Sequence, residues 1–108
     1  TIMNIAIIGS SQYRNKFIEV MYRLKKEGHE VLIPAFDDHP EFNELQLCEH
    51  NRSIIEWADV VYIIWDGRSV GTVLDFGMCF ALRKPIVIEY IEAKTIANVM
   101  RMYEQLTQ

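Results

Sequence analysis

A chain of 108 residues, half of them hydrophobic, is long enough for one domain with a buried core and too short for two. Its net charge of −4, with lysine and arginine dispersed, supplies no basic stripe to neutralise a nucleic-acid backbone, although a free nucleotide needs only a local pocket. No apolar run approaches the ~20 residues that span a bilayer, and no charged and apolar leader precedes the first strand; the expectation is a soluble protein with no membrane partner.

The first strand is expected over Ile2 to Ile8, after which Gly9-Ser10-Ser11-Gln12-Tyr13 turns the chain into a helix from about Arg14 to Glu27. Phe17, Val20, Met21 and Leu24 fall at i, i+3, i+4 and i+7, one apolar face, and Gly28 ends the helix. Glu30 to Ile33 reads as a short second strand closed by Pro34, and Ala35 to Pro40 as a loop. Pro40 suits the first turn of a helix reaching about Trp57. Asp59 to Trp65 has no polar alternation and reads as a central parallel strand covered on both faces. A helix follows from Gly71 to Arg83, apolar almost all round and therefore expected to be buried, with Gly77 packed against the sheet. Strand four is expected at Ile86 to Tyr90 and a last amphipathic helix at about Ala93 to Leu106. Cys48 and Cys79 fall in predicted helices without metal-ligand spacing, which indicates reduced thiols, a cytoplasmic setting and no metal site.

Strict β-α alternation implies a three-layer α/β fold of flavodoxin or Rossmann-like type, its small parallel sheet ordered 2-1-3-4 with helices on both faces. Ligands of such sheets bind beyond the carboxyl ends of the strands at the switch point between strands one and three. Gly9 to Arg14 and Asp66 to Asp75 should therefore line one pocket. Gly9 permits close backbone approach, Ser10 and Ser11 offer hydroxyls, Arg14 offers charge, and the helix start directs N–H groups toward an anion; the same turn is also ordinary capping chemistry. Thr72-x-x-Asp75 reads either as a capping-box variant in the first turn of the third helix or as a carboxylate aimed at a ligand, with Ser69 as its phosphate-contacting neighbour. Trp65 or Phe36 could stack on a base, while Phe42 and Trp57 are expected to pack the second helix on the sheet.

Ala58-Asp59-Val60-Val61, then Ser69-Val70-Gly71-Thr72-Val73-Leu74-Asp75-Phe76-Gly77, then Ala81-Leu82-Arg83-Lys84-Pro85-Ile86 resembles the nucleoside 2-deoxyribosyltransferase family and its hydrolytic relatives, the 2′-deoxynucleoside 5′-monophosphate N-glycosidases. Ile8-Gly9-Ser10 and Gly28-His29-Glu30-Val31-x-x-Pro34 fit as well, so the similarity runs from about Met3 to Glu89. The resemblance implies a single domain over residues 1–108, no cofactor, a nucleoside or nucleotide ligand, and a homodimer or larger homo-oligomer.

It also implies site residues. The family's carboxylate at the anomeric carbon falls on Asp75, an aspartate in place of glutamate. The family's general-acid aspartate, eight residues before the Asp of Ala-Asp, falls on Asn51, an amide with no acidic proton to donate. His50 has a suitable titration range to replace it, but adjacent helix residues point about 100° apart. Ser10 and Ser69 match the positions with which the hydrolytic relatives grip a 5′-phosphate, with Gly9, Ser11, Arg14, Gly71, Thr72 and Trp65 around them, so the resemblance implies a nucleoside 5′-monophosphate as substrate in preference to an unphosphorylated nucleoside. Three readings follow: an N-glycosidase or deoxyribosyltransferase-like enzyme; a noncatalytic nucleotide-binding module; or an interaction module whose last helix presents Ile96, Val99, Met100 and Tyr103.

Overall fold

A computed structural model describes residues 1–34, 39–92 and 95–108. The chain runs β1 (Asn4–Gly9), a 3₁₀ turn (Ser11–Tyr13), α1 (Arg14–Lys26), β2 (Glu30–Leu32), α2 (Glu44–Trp57), β3 (Val60–Trp65), α3 (Val70–Ala81), β4 (Ile86–Ile91) and α4 (Thr95–Thr107). The sheet is parallel in the order β2-β1-β3-β4, as the alternation required.

Two apolar layers hold the sheet. Among the described residues, one face carries α1 alone, with Phe17, Val20 and Leu24 packed against Ile5, Ile7, Val60 and Ile64. Complete burial of a side chain such as Phe17 contributes on the order of 2 kcal/mol. On the other face Ile54 and Ile55 of α2, Phe76 and Cys79 of α3 and Met100 of α4 meet Ala6, Ile8, Val61, Ile63 and Ile86. Cys48 and Cys79 are both free thiols, and burial pushes the Cys79 thiol up to about 12. Among the described residues no helix is long and apolar enough to cross a membrane.

β4 carries a register shift. Ile63 pairs with Ile88 but Ile64 pairs with Tyr90, so Glu89 is the extra residue of a bulge. Glu89 then pairs with Arg23 of α1, and Tyr90 packs edge-on against Tyr13 at 5.3 Å, so both lie on the α1 side.

Several helix ends differ from the sequence reading. α2 starts at Glu44, not Pro40: Asn43 accepts the Gln46 N–H while the Gln46 side chain accepts the Asn43 N–H, a complete capping box. That reciprocal pair satisfies two orphan donors, which Pro40 cannot do. Phe42 stacks on His39 at 4.6 Å before the helix begins. α1 ends as expected, with Gly28 at φ 98° and the His29 N–H on the Leu24 carbonyl. α3 ends in the same wrapped turn, but there Arg83 takes the left-handed position at φ 56° while the Lys84 N–H reaches the Cys79 carbonyl at 2.9 Å.

α3 is not buried all round. Val70, Val73, Leu74 and Phe80 are exposed, and a Cβ built on Gly77 would meet nothing within 4 Å, so this glycine does not pack against the sheet. Apart from Asp75, no residue of α3 carries a charge. In α4, Met100 is fully buried and Ile96 and Tyr103 pack on the core, so most of the stripe read as a contact face is internal; Val99 is exposed.

Candidate functional site

The carboxyl ends of β1 and β3 meet as the topology demands. Gly9 has φ 150°, and a Cβ there would lie 1.7 Å from the Ile64 carbonyl oxygen, so only glycine lets the two backbones approach. The Ser10 N–H then donates to that oxygen at 2.9 Å, and Ser10 is almost wholly buried. Its Oγ accepts the Asp66 N–H at 2.9 Å and lies 3.0 Å from the Ser69 Oγ, a residue 59 positions away. The two serines singled out in the sequence are thus side by side.

Asp66 organises the loop between β3 and α3. Its Oδ1 accepts the N–H of Arg68 at 2.8 Å and of Ser69 at 2.9 Å, and the Ser69 hydroxyl lies 3.1 Å away. Its Oδ2 accepts from Gln12 Nε2 at 3.1 Å. The Ser69 N–H above all, with that of Arg68 and the hydroxyls of Ser10 and Ser69, holds the Asp66 carboxyl down to about 2. Gly67, at φ 77°, makes the turn. Trp65 is buried and its indole N–H donates to the Ser69 carbonyl at 3.0 Å; it holds the loop from beneath and has no face open to a base.

A cavity of about 310 Å³ opens over this loop, lined by Gln12, Tyr13, Asp66, Arg68 and Glu92. Glu92 follows β4, and its Oε1 accepts the Tyr90 hydroxyl at 2.9 Å, with the Tyr13 hydroxyl at 3.5 Å. Glu92 in turn holds the Tyr90 phenol up to about 12. Gln12, Asp66 and Arg68 belong to the two loops expected from sequence to line one pocket, though none of them was given a role of its own, and Glu92 was not expected there. The signal for Asp66 was available, because Asp-Gly ahead of a helix is a turn in which the aspartate can accept N–H groups two and three residues on.

Asn51 and Asp75 also come together. They face each other across the α2–α3 contact, and the Asn51 side chain hydrogen-bonds the Asp75 carboxylate. Burial pushes the Asp75 carboxyl up to about 6, and the Asn51 bond partly offsets this. The capping-box reading of Thr72 and Asp75 is overturned: α3 begins at Val70 with Ser69 before it, so Asp75 lies in the second turn and no acid stands in the first. Helix capping therefore does not account for a half-buried carboxylate here. His50 turns away from this pair, packing on His39 at 4.5 Å and Phe42 at 5.7 Å, as the angular offset of neighbouring helix residues requires.

The other residues named from sequence are dispersed. Ser11 and Arg14 are exposed at the start of the first helical segment, Gly71 is exposed in α3, and Thr72 is buried on the inner face of α3. Phe36 lies outside the described residues. No cluster of three histidine, cysteine or acidic side chains suited to a metal ion occurs among the described residues. Comparison with known proteins found no protein-family model that matches this chain and no curated protein that matches it.

Proposed function

We propose that this protein is nucleoside 2-deoxyribosyltransferase-like and acts on the N-glycosidic bond of a (deoxy)nucleoside 5′-monophosphate, as hydrolase or transferase. The observation that carries the reading is the Asn51–Asp75 contact: two positions picked out by the family pattern, on different helices, share a hydrogen bond, and one is a carboxylate raised to about 6. Such a group is roughly nine-tenths ionised at pH 7 and poorly solvated, the state suited to an oxocarbenium-like centre. In this scheme the C1′–N bond breaks with its electron pair leaving on the base. Asp75 bonds to or stabilises C1′, and water or an acceptor base completes the exchange. Asn51 orients Asp75, and the departing base takes its proton from solvent.

Chromatography of ribo- and deoxyribonucleosides and their 5′-monophosphates should reveal free base with the native chain. Asp75→Ala should lower the rate by a hundredfold or more, on the order expected for loss of a group acting in the transition state, and Asp75→Glu should retain part of it. Absence of base release across the panel at high protein concentration would sink the catalytic reading.

Asn51 in place of an acid favours one second reading, a noncatalytic nucleotide-binding module. It predicts a rise in melting temperature with ligand and no turnover. A cytoplasmic homodimer or larger homo-oligomer belongs to the same proposal. The uncharged outer face of α3 supports it, since exposed Val70, Leu74 and Phe80 form an apolar surface of the kind that associates. Light scattering should give at least twice the chain mass, and Leu74→Glu should return the monomer.

A further inference from the structure

Among the described residues β4 ends the sheet on one side, and its run Ile86-Val87-Ile88-Glu89-Tyr90-Ile91 is β-branched or aromatic at every position but Glu89. That one charge is tied to Arg23 of α1. A strand of this composition with a bare edge pairs readily with another chain. The Val61 N–H donates to the Pro85 carbonyl at 3.0 Å, so by the strand's alternation the backbone groups of Ile86 and Ile88 turn outward. Side chains from the end of α4 meet them there. The Ile88 N–H donates to Glu104 Oε2, the Ile86 N–H points to Thr107 Oγ1 at 3.4 Å, and the Ile86 carbonyl accepts from Gln108 Nε2 at 2.8 Å. The Thr107 hydroxyl donates its own proton to the Glu104 carbonyl at 3.0 Å, which leaves an oxygen lone pair for the strand. A carboxylate in the last turn of a helix opposes the helix dipole, so α4 by itself does not favour Glu104 at that position.

We propose that the end of α4 holds the place of a fifth strand, an autoinhibitory contact, and that with these side chains withdrawn the β4 edge pairs antiparallel with the β4 edge of a second copy of this chain. The occupant follows from the spacing of the outward groups. In an antiparallel pair, residues at a hydrogen-bonded position exchange both of their N–H to carbonyl bonds. Ile86 and Ile88 stand two apart, so a two-fold axis at Val87 sets Ile86 of each copy opposite Ile88 of the other, and each satisfies its counterpart. The pairing uses the N–H groups that α4 now engages. The bulge at Glu89 breaks the alternation, so the matching stretch is confined to the first half of β4, the half that α4 covers. A contact within one chain has a high effective concentration and outcompetes a second copy until it is broken. This device is independent of the glycosidic chemistry and of the apolar face of α3.

The test uses the full chain carrying Leu74→Glu, so that association through α3 does not enter. Glu104→Met, Thr107→Val and Gln108→Met together remove the cap while keeping side-chain size, and they leave Met100 and Tyr103 on the core. Glu104→Gln with Thr107→Ser keeps both acceptors and is the control. In native-state hydrogen exchange the Ile88 amide of the uncapped chain, kept dilute, should exchange at least about tenfold faster than in the control. As concentration rises, light scattering should carry the uncapped chain to twice the mass of its background, with the Ile86 and Ile88 amides regaining protection, while the control keeps the background mass. Near-ultraviolet circular dichroism checks the fold, and if the triple variant does not fold, Glu104→Met alone supplies the same two readings. The proposal is overturned if the Ile88 amide exchanges alike in Glu104→Met and Glu104→Gln, or if the folded uncapped chain keeps the background mass at every concentration. Association that leaves the Ile86 and Ile88 amides unprotected overturns it as well.

Discussion

Gly9→Ala should yield little or no folded protein. The added Cβ would sit 1.7 Å from the Ile64 carbonyl oxygen and 2.6 Å from its carbonyl carbon, and φ 150° is a conformation that alanine rarely adopts. Both obstacles are backbone, so no side chain can swing aside to relieve them. Relief would require β1 and β3, the two central strands, to separate where Ser10 donates to Ile64. A loss above about 4 kcal/mol is expected, a large share of the stability of a domain of this size. In thermal denaturation this would appear as a fall of roughly 15–20 °C or as no cooperative transition. Gly71→Ala is the control. Nothing lies within 4 Å of its Cβ, and alanine is the better helix former by about 1 kcal/mol, so its melting temperature should hold or rise. If the two variants melted alike, the close approach of β1 to β3 would not be what requires glycine.

Asp75→Asn should stabilise the protein at neutral pH and flatten its response to acid. The Asp75 carboxyl titrates near 3.8 in an unfolded chain and about 6 in the fold, so between those values the native state keeps a proton that the unfolded state releases. Its contribution to stability is complete below about pH 4 and is lost as pH rises through 6, a change of about 3 kcal/mol. Asp66 acts in the opposite direction and in a different window. Held down to about 2, it contributes above pH 4 and loses that contribution as pH falls through 2. The wild-type chain should therefore lose stability in urea titrations from pH 4 to pH 7, whereas Asp75→Asn should show little slope. At pH 7 the variant should gain about 2 kcal/mol, or roughly 10 °C. A slope unchanged by the substitution would mean that Asp75 is solvated. Lost base release in a more stable variant would place Asp75 among groups kept for chemistry at a cost to the fold.

The strand order and the α1 face were legible because their signals are local and agree with one another. The apolar run from Val60 to Trp65 is a buried parallel strand, and Phe17, Val20 and Leu24 repeat at helical spacing. Reading stopped short where two local rules competed. Pro40 and Asn43 both mark helix starts, and the reciprocal side-chain bonds of Asn43 and Gln46 decide between them. An apolar helix without charges reads as buried whether its outer face meets the core or solvent, so the exposed side of α3 was hidden. The pairings of Ser10 with Ser69 and of Asn51 with Asp75 followed from topology and from the family pattern together. Asp66 was placed in the pocket loop without a role of its own, because that role is to satisfy neighbouring N–H groups, which the sequence shows only as a turn. Glu92 stands at the cavity through the fold's register, and no spacing in the chain announces it.

That register depends on one residue. Because Glu89 is inserted between the partners of Ile63 and Ile64, everything after it in β4 is turned over relative to an unbroken strand. Tyr90 falls beside Tyr13 in place of the opposite layer, and Glu92 follows it to the same rim. Shortening β4 by a single residue would leave its composition and parallel pairing almost unchanged, yet it would exchange inside for outside and carry the carboxylate away from the cavity. Loops elsewhere in such a domain can gain or lose residues freely. Here the parity of one edge strand decides which side chains line the cavity.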